Sequence, residues 1–188
     1  MASLSQLLRR VVSAFTPAQQ PSKRPAPQRP ASQHRATAAA GAGGVADASP
    51  GQLGPDATTE VDPKRVGTVT LDYNPVVDGD PDPGEIVWTW VPFEERDGRG
   101  KDRPVLVVAT TKSSAVLAVQ LTSKDHSHQG DFVPLGTGSW DAAGRPSWAN
   151  LDRVFLVHPG GMRREAAALD ARRFGMVATA LRQRYGWR

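Results

Sequence analysis

Two apolar runs of strand length, Arg103–Thr111 and Ala115–Ser123, stand only three residues apart, and no other feature of the chain narrows its fold as much. Both are rich in valine and leucine, and β-branched side chains suit a pleated, packed surface better than a helix. The gap, Lys112, Ser113 and Ser114, leaves room for a tight antiparallel turn, so the pair reads as a β-hairpin. A hairpin also fixes neighbours. The start of its first strand and the end of its second meet at one edge of the sheet, which brings Arg103 beside Thr122.

Further strands flank this pair. In "EIVWTWVPF" Ile86, Trp88 and Trp90 alternate with Val87, Thr89 and Val91 until Pro92 ends the run. "DFVPLGTG" and "NLDRVFLVHPGG" add two short strands bracketed by glycine and proline, with "SWDAAGRPSW" as the loop between them. After Asp170, a suitable N-cap, the apolar positions Phe174, Val177, Ala178, Leu181 and Tyr185 form one helical stripe. Five or six short strands and one final amphipathic helix predict a mainly β domain, a small, strongly bent antiparallel barrel with the helix packed on it.

The chain has 188 residues, enough for one domain. We assign that domain to residues 84–188. Residues 66–83, with "VGTVTLDY" followed by the acidic "DGDPDPGE", read as a lead-in of unassigned pairing. Residues 1–65 are dominated by Pro, Ala, Gly, Gln and Ser, a composition that buries too little surface to offset ordering entropy, so they read as a disordered basic tail. Within it, residues 3–15 space leucines and valines for a short amphipathic helix. No window supplies the roughly 20 apolar residues of a membrane span, and no integral membrane segment is expected.

Charge is distributed unevenly. The net charge is +4, and the acids concentrate in residues 66–100, between a basic start and a basic C-terminal half. That asymmetry favours an anionic partner such as nucleic acid. The acidic lead-in is a candidate to lie over a basic groove and restrain entry. Cysteine is absent, which excludes disulfides and thiolate metal sites, and the spacing of His126 and His128 does not make a metal site; neither metal nor cofactor is expected.

Arg103 at the mouth of an apolar strand has two readings. It ends the strand in a salt bridge to Asp102 or Glu94, or it presents a bidentate fork to a phosphate. Around it the hairpin gathers Thr122 and, as supporting candidates, Ser123, Lys124 and His126, donors and proton carriers suited to a phosphodiester. Lys101 and Arg145, with Lys124, Arg153, Arg163 and Arg164, are candidates to line a groove along a nucleic-acid backbone, with Trp140 or Trp148 stacking on a base. The helix arginines, Arg172, Arg173, Arg182 and Arg184, read as its solvated face.

"GEIVWTWVPF", "GKDRPVLVVA", "VLAVQLTSK" and "SWANLDRVFLV", followed by the amphipathic helix, resemble in content and order the MazF/PemK family of toxin endoribonucleases of bacterial type II toxin–antitoxin systems. The resemblance spans residues 84 to about 185. It implies a homodimer of SH3-like barrels in the cytoplasm, a cognate antitoxin, and metal-independent cleavage of single-stranded RNA by in-line attack of a 2'-hydroxyl. The family's catalytic arginine falls on Arg103 and its catalytic threonine or serine on Thr122, with Ser123 adjacent. The alternative reading is a non-catalytic SH3-like barrel that binds nucleic acid or a protein partner, because small barrels serve many roles.

Overall fold

A computed structural model describes residues 48–76 and 78–188. The amphipathic helix expected over 3–15 lies outside the described residues, as does the tail up to residue 47. Seven strands and one long helix follow in chain order: β1 (Thr59–Val61), β2 (Glu85–Pro92), β3 (Gly100–Thr110), β4 (Val116–Thr122), β5 (Phe132–Gly136), β6 (Ser147–Val157), β7 (Met162–Ala168) and α1 (Ala171–Tyr185). All pairings are antiparallel, in the order β1-β6-β4-β3-β2-β7, with β5 on the first half of β6. The mainly β fold with a C-terminal helix is therefore present. Among the described residues, strand pairing leaves the sheet open rather than closed into a barrel, with β1 and β7 at its ends.

The predicted hairpin is β3–β4. Its turn is held by Thr111, whose backbone N–H and hydroxyl both donate to the Ala115 carbonyl at 2.8 Å, while Ser114 takes a left-handed φ of 63°. Val105 to Ala109 are all essentially inaccessible. Such a run, apolar without alternation, requires cover on both faces of the sheet. One face packs Leu106 and Val108 with Leu117, Val119, Val154 and the helix residues Phe174, Val177 and Leu181. The other packs Val105 and Val107 with Val87, Val91, Val116, Ala118, Phe155 and Val157. Register shifts at Val107/Ala109 and Val119/Leu121 mark bulges, which bend and twist the strands they interrupt.

Helix α1 is capped at both ends, at its start by the Asp170 that its sequence predicts. The Asp170 carboxylate accepts from the Arg173 N–H at 2.9 Å, and Gly186, at φ 70°, returns its N–H to the Arg182 carbonyl. Its arginines are more engaged than a solvated face requires. Arg182 donates to the Leu71 carbonyl, and Arg184 pairs with both Asp131 and Asp152.

Three sequence expectations are corrected. First, residues 48–65 are not tail but part of the fold. Strand β1 pairs Thr59, Glu60 and Val61 with Leu156, Phe155 and Val154, and the Pro50 carbonyl accepts from the Trp90 N–H at 3.0 Å. Composition underrated this stretch because it is held by main-chain pairing and hydroxyls rather than by large apolar side chains. Thr89 donates to the Gly161 carbonyl at 2.6 Å, so Thr58, also 2.6 Å away, must be the donor to Thr89. Gly51, at φ 78°, lies so close to both threonines that a Cβ would collide with their hydroxyls. Second, "MRREAAA", not read as a strand, is β7, and Ser147 and Trp148 start β6 rather than belonging to a loop. Third, the lead-in left without assigned pairing docks by main-chain contacts, and among its described residues there is no strand. Val69 and Leu71 are buried, and their backbones exchange hydrogen bonds with Arg188.

A cleft at the edge of the β3–β4 hairpin

Alternation along each strand extends the second apolar face into a polar rim. Val105 and Val107 continue to Arg103 on β3, Val116 and Ala118 continue to Gln120 and Thr122 on β4, and Phe155 continues to Arg153 on β6. The polar end of one buried layer thus gathers an arginine, an amide, a hydroxyl and a second arginine. The last hairpin pair is Val105 with Gln120, so Arg103 and Thr122 each lie two residues beyond it, toward the same edge.

Arg103 and Thr122 both line an open cleft of about 640 Å³. Lys101, Ser123, Lys124 and Arg145 line it too, so of the supporting candidates Ser123, Lys124 and His126 two share this space. His126 is the exception. It stacks on Phe132 with ring centroids 3.7 Å apart, and its Nδ1 lies 2.7 Å from the Gln129 Oε1, in a separate hollow with Glu60 and Asp131. The β4–β5 loop carries its ring away from the cleft, so proximity in sequence to Thr122 does not become proximity in space.

The strand-ending salt bridge expected as one reading of Arg103 does not form. Asp102 turns to Arg163 at 2.7 Å, and among the described residues Arg103 has no ion pair. Burial first, and the neighbouring Arg153 second, push the half-buried Arg103 guanidinium below its ordinary pKa. A half-buried cation with no carboxylate partner and a second cation nearby is an electrostatic arrangement that a bound anion would relieve. Thr122 is equally prepared. Its oxygen accepts the Lys124 backbone N–H at 3.2 Å, which leaves the hydroxyl proton for another acceptor.

On its other side Arg103 borders a smaller hollow of about 390 Å³, shared with Gln120, Asn150 and Arg153 beneath the β2–β3 loop. Gln120, only 9% exposed, was not picked out from the sequence, although a lone amide in "VLAVQLT" at the parity of buried Val116 and Ala118 was a readable signal. Glu60 was hidden by its assignment to the tail. It accepts from Arg153 Nη2 at 2.8 Å, and the same nitrogen donates to the Pro92 carbonyl at 2.8 Å.

The remaining groove candidates divide. Arg145 is held by Asp141 at 2.9 Å on the cleft wall. Arg163 and Arg164 do not line the cleft; the first is tied to Asp102, the second makes two bonds to Glu85 at 2.7 and 2.8 Å. Trp140 is a core residue, 4% exposed, with its indole N–H donated to Ser147 and its ring lying directly over Gly138, where any Cβ would collide. Trp148 is half-buried on β6, opposite Thr122, while Trp88 is half-buried in the cleft wall with the Arg163 guanidinium 5.8 Å from its ring centre. None of the described residues among 66–82 lines the cleft, so those residues of the acidic lead-in do not cover it.

Comparison with known proteins places these features in context. Residues 82–185 match a family described as "PemK-like, MazF-like toxin of type II toxin-antitoxin system". Among the solved structures, 23 chains match. One is a Mycobacterium tuberculosis toxin, MazF-mt6, to which this chain is similar at 18% identity and a TM-score of 0.41, over 55% of this chain and 98% of that one. No curated protein matches. Among the described residues no helix is long and apolar enough to cross a membrane.

Proposed function

The chain belongs to the family of PemK-like, MazF-like toxins of type II toxin–antitoxin systems, and from that premise we propose that it is an endoribonuclease that cuts single-stranded RNA without a metal. The supporting observation is the unpaired, half-buried Arg103 sharing an open cleft with Thr122. In the reaction, the ribose 2'-hydroxyl loses its proton to water as its oxygen attacks the adjacent phosphorus, while the bond from phosphorus to the 5'-oxygen breaks and that oxygen takes up a proton. The products are a 2',3'-cyclic phosphate and a 5'-hydroxyl. Charge builds on the non-bridging oxygens of the pentacoordinate phosphorus, and the Arg103 fork stabilises it there. The Thr122 hydroxyl donates to the same group or to the departing oxygen. Lys101 and Lys124, exposed along the cleft, attract the backbone on either side. Family membership also carries the expectation of an antitoxin, and an acidic segment of such a partner would suit the same cations. Two copies of the chain act together as a homodimer in the cytoplasm.

The decisive experiment incubates the purified protein with end-labelled single-stranded RNA in excess chelator, beside Arg103→Ala. The wild type should release fragments ending in cyclic phosphate. The variant should lose at least about a hundredfold in rate, as removal of a transition-state donor does when it costs roughly 3 kcal/mol. Undiminished cleavage by the variant, or cleavage that stops in chelator, refutes the assignment.

A further inference from the structure

The segment 48–61 lies wholly outside the family-matched residues, yet it reaches the candidate site. Glu60 on β1 faces Arg153 on β6, and the pair stands at the polar end of the buried layer that carries Arg103. We propose that Glu60 is a positioning residue, supplied by this added strand, which pins Arg153 so that a second buried guanidinium stands beside Arg103 in a fixed orientation toward the charge that grows on the phosphate in the transition state. The inference rests on the nuclease reading above.

The geometry is specific. Arg153 is only 8% exposed; its Nη2 is shared between Glu60 and the Pro92 carbonyl, its guanidinium lies 5.0 Å from the centre of the Phe155 ring, and its buried Nε has no partner. One carboxylate, one carbonyl and an aromatic face thus fix the plane of the group, while Arg103 and Arg153 share the walls of the same hollow with Gln120 and Asn150. Glu60 answers Arg153 and, at 3.8 Å, the exposed Arg96, so the Arg103 guanidinium keeps its positive charge unanswered. Glu94 and Glu95 also border the hollow, but they are exposed on the β2–β3 loop, where water and salt screen them. Without Glu60, only the Pro92 carbonyl and the Phe155 ring hold Arg153, and repulsion from Arg103 biases its guanidinium away from the hollow. With it, the two cations are held close until an anion enters, and the growing charge of the transition state is met by a fixed field rather than by side chains that must first reorganise.

The test uses the full chain and two readouts. Binding is measured on a single-stranded RNA with 2'-deoxyribose at the cleavage position, which cannot be cut, across a salt series; turnover is measured on the all-ribose strand. Arg153→Gln should weaken binding roughly tenfold at low salt and lower the slope of log affinity against log salt by about one, as loss of one phosphate-directed cation does. Glu60→Gln removes a negative charge, so KM should hold or fall while kcat drops roughly tenfold. A pair that serves stability alone would move the unfolding midpoint and leave both the salt slope and the kcat-to-KM split untouched. The swapped pair Glu60→Arg with Arg153→Glu separates the two roles further: it should recover the unfolding midpoint but not turnover. Recovery of both, or an unchanged kcat in Glu60→Gln, overturns the positioning role. If the wild type cleaves, Arg103→Ala does not, and Glu60→Gln is unaffected, this inference alone falls. If the wild type neither binds nor cuts RNA, the nuclease reading falls first.

Discussion

At the scale of single residues, the proposed site depends on side chains left incomplete. The Arg103 guanidinium has no carboxylate, and the Thr122 oxygen has an acceptor role filled while its proton is uncommitted. Thr122→Val keeps the shape of the side chain and its β-propensity but deletes that proton. Its kcat should fall about a hundredfold with KM little changed, the signature of an interaction made only in the transition state; a rise in KM at constant kcat would assign Thr122 to binding instead. Arg103 and Thr122 were legible in the sequence only to within a residue: a three-residue turn brings the open end of the hairpin together, but the register shift at Val107/Ala109 is what sets Arg103 toward Thr122 rather than Ser123. Arg153 and Glu60 were legible only as isolated charges. They are 93 positions apart in the chain, and nothing local announces that a glutamate in a proline- and glycine-rich stretch will meet a particular arginine on β6.

At the scale of elements, strands with strong side-chain patterns were readable and those held by their backbones were not. β2, β3, β4 and most of β6 declare themselves through valine, isoleucine and tryptophan. β7, "MRREAAA", consists of good helix formers and is a strand because β2 offers it an edge, a case of tertiary pairing overriding propensity. β1 is three residues long and owes its place to β6 and to the paired hydroxyls of Thr58 and Thr89. The weight of β1 can be measured by comparing a chain that starts at Ala48 with one that starts at Asp62. The shorter chain leaves Arg153 buried without its carboxylate and opens the edge of β6. Breaking a buried pair by removing one partner costs about 3 to 5 kcal/mol, so its urea midpoint should drop markedly. Coincident unfolding curves would mean that β1 adds nothing to the stability of the sheet.

At the scale of the whole molecule, one bent sheet carries two apolar layers with different duties. One layer, against α1, accounts for most of the large buried side chains and anchors the lead-in through Val69, Leu71 and Trp187. The other is smaller, built mainly from valines, and ends in the polar rim that forms the site. Anchoring by the first is what allows the second to end in unpaired charge without the sheet coming apart. The aromatic side chains are divided in the same way, with consequences for observation. Of the five tryptophans, Trp140 and Trp187 are buried, Trp140 with one edge on the cleft, whereas Trp88 is half-buried in the cleft wall beside Arg163. Ultraviolet excitation should therefore make the protein its own optical indicator. Titration with a single-stranded oligonucleotide should quench or shift the emission of the wild type, and Trp88→Phe should remove most of that change while keeping affinity, giving a label-free signal for occupancy of the cleft.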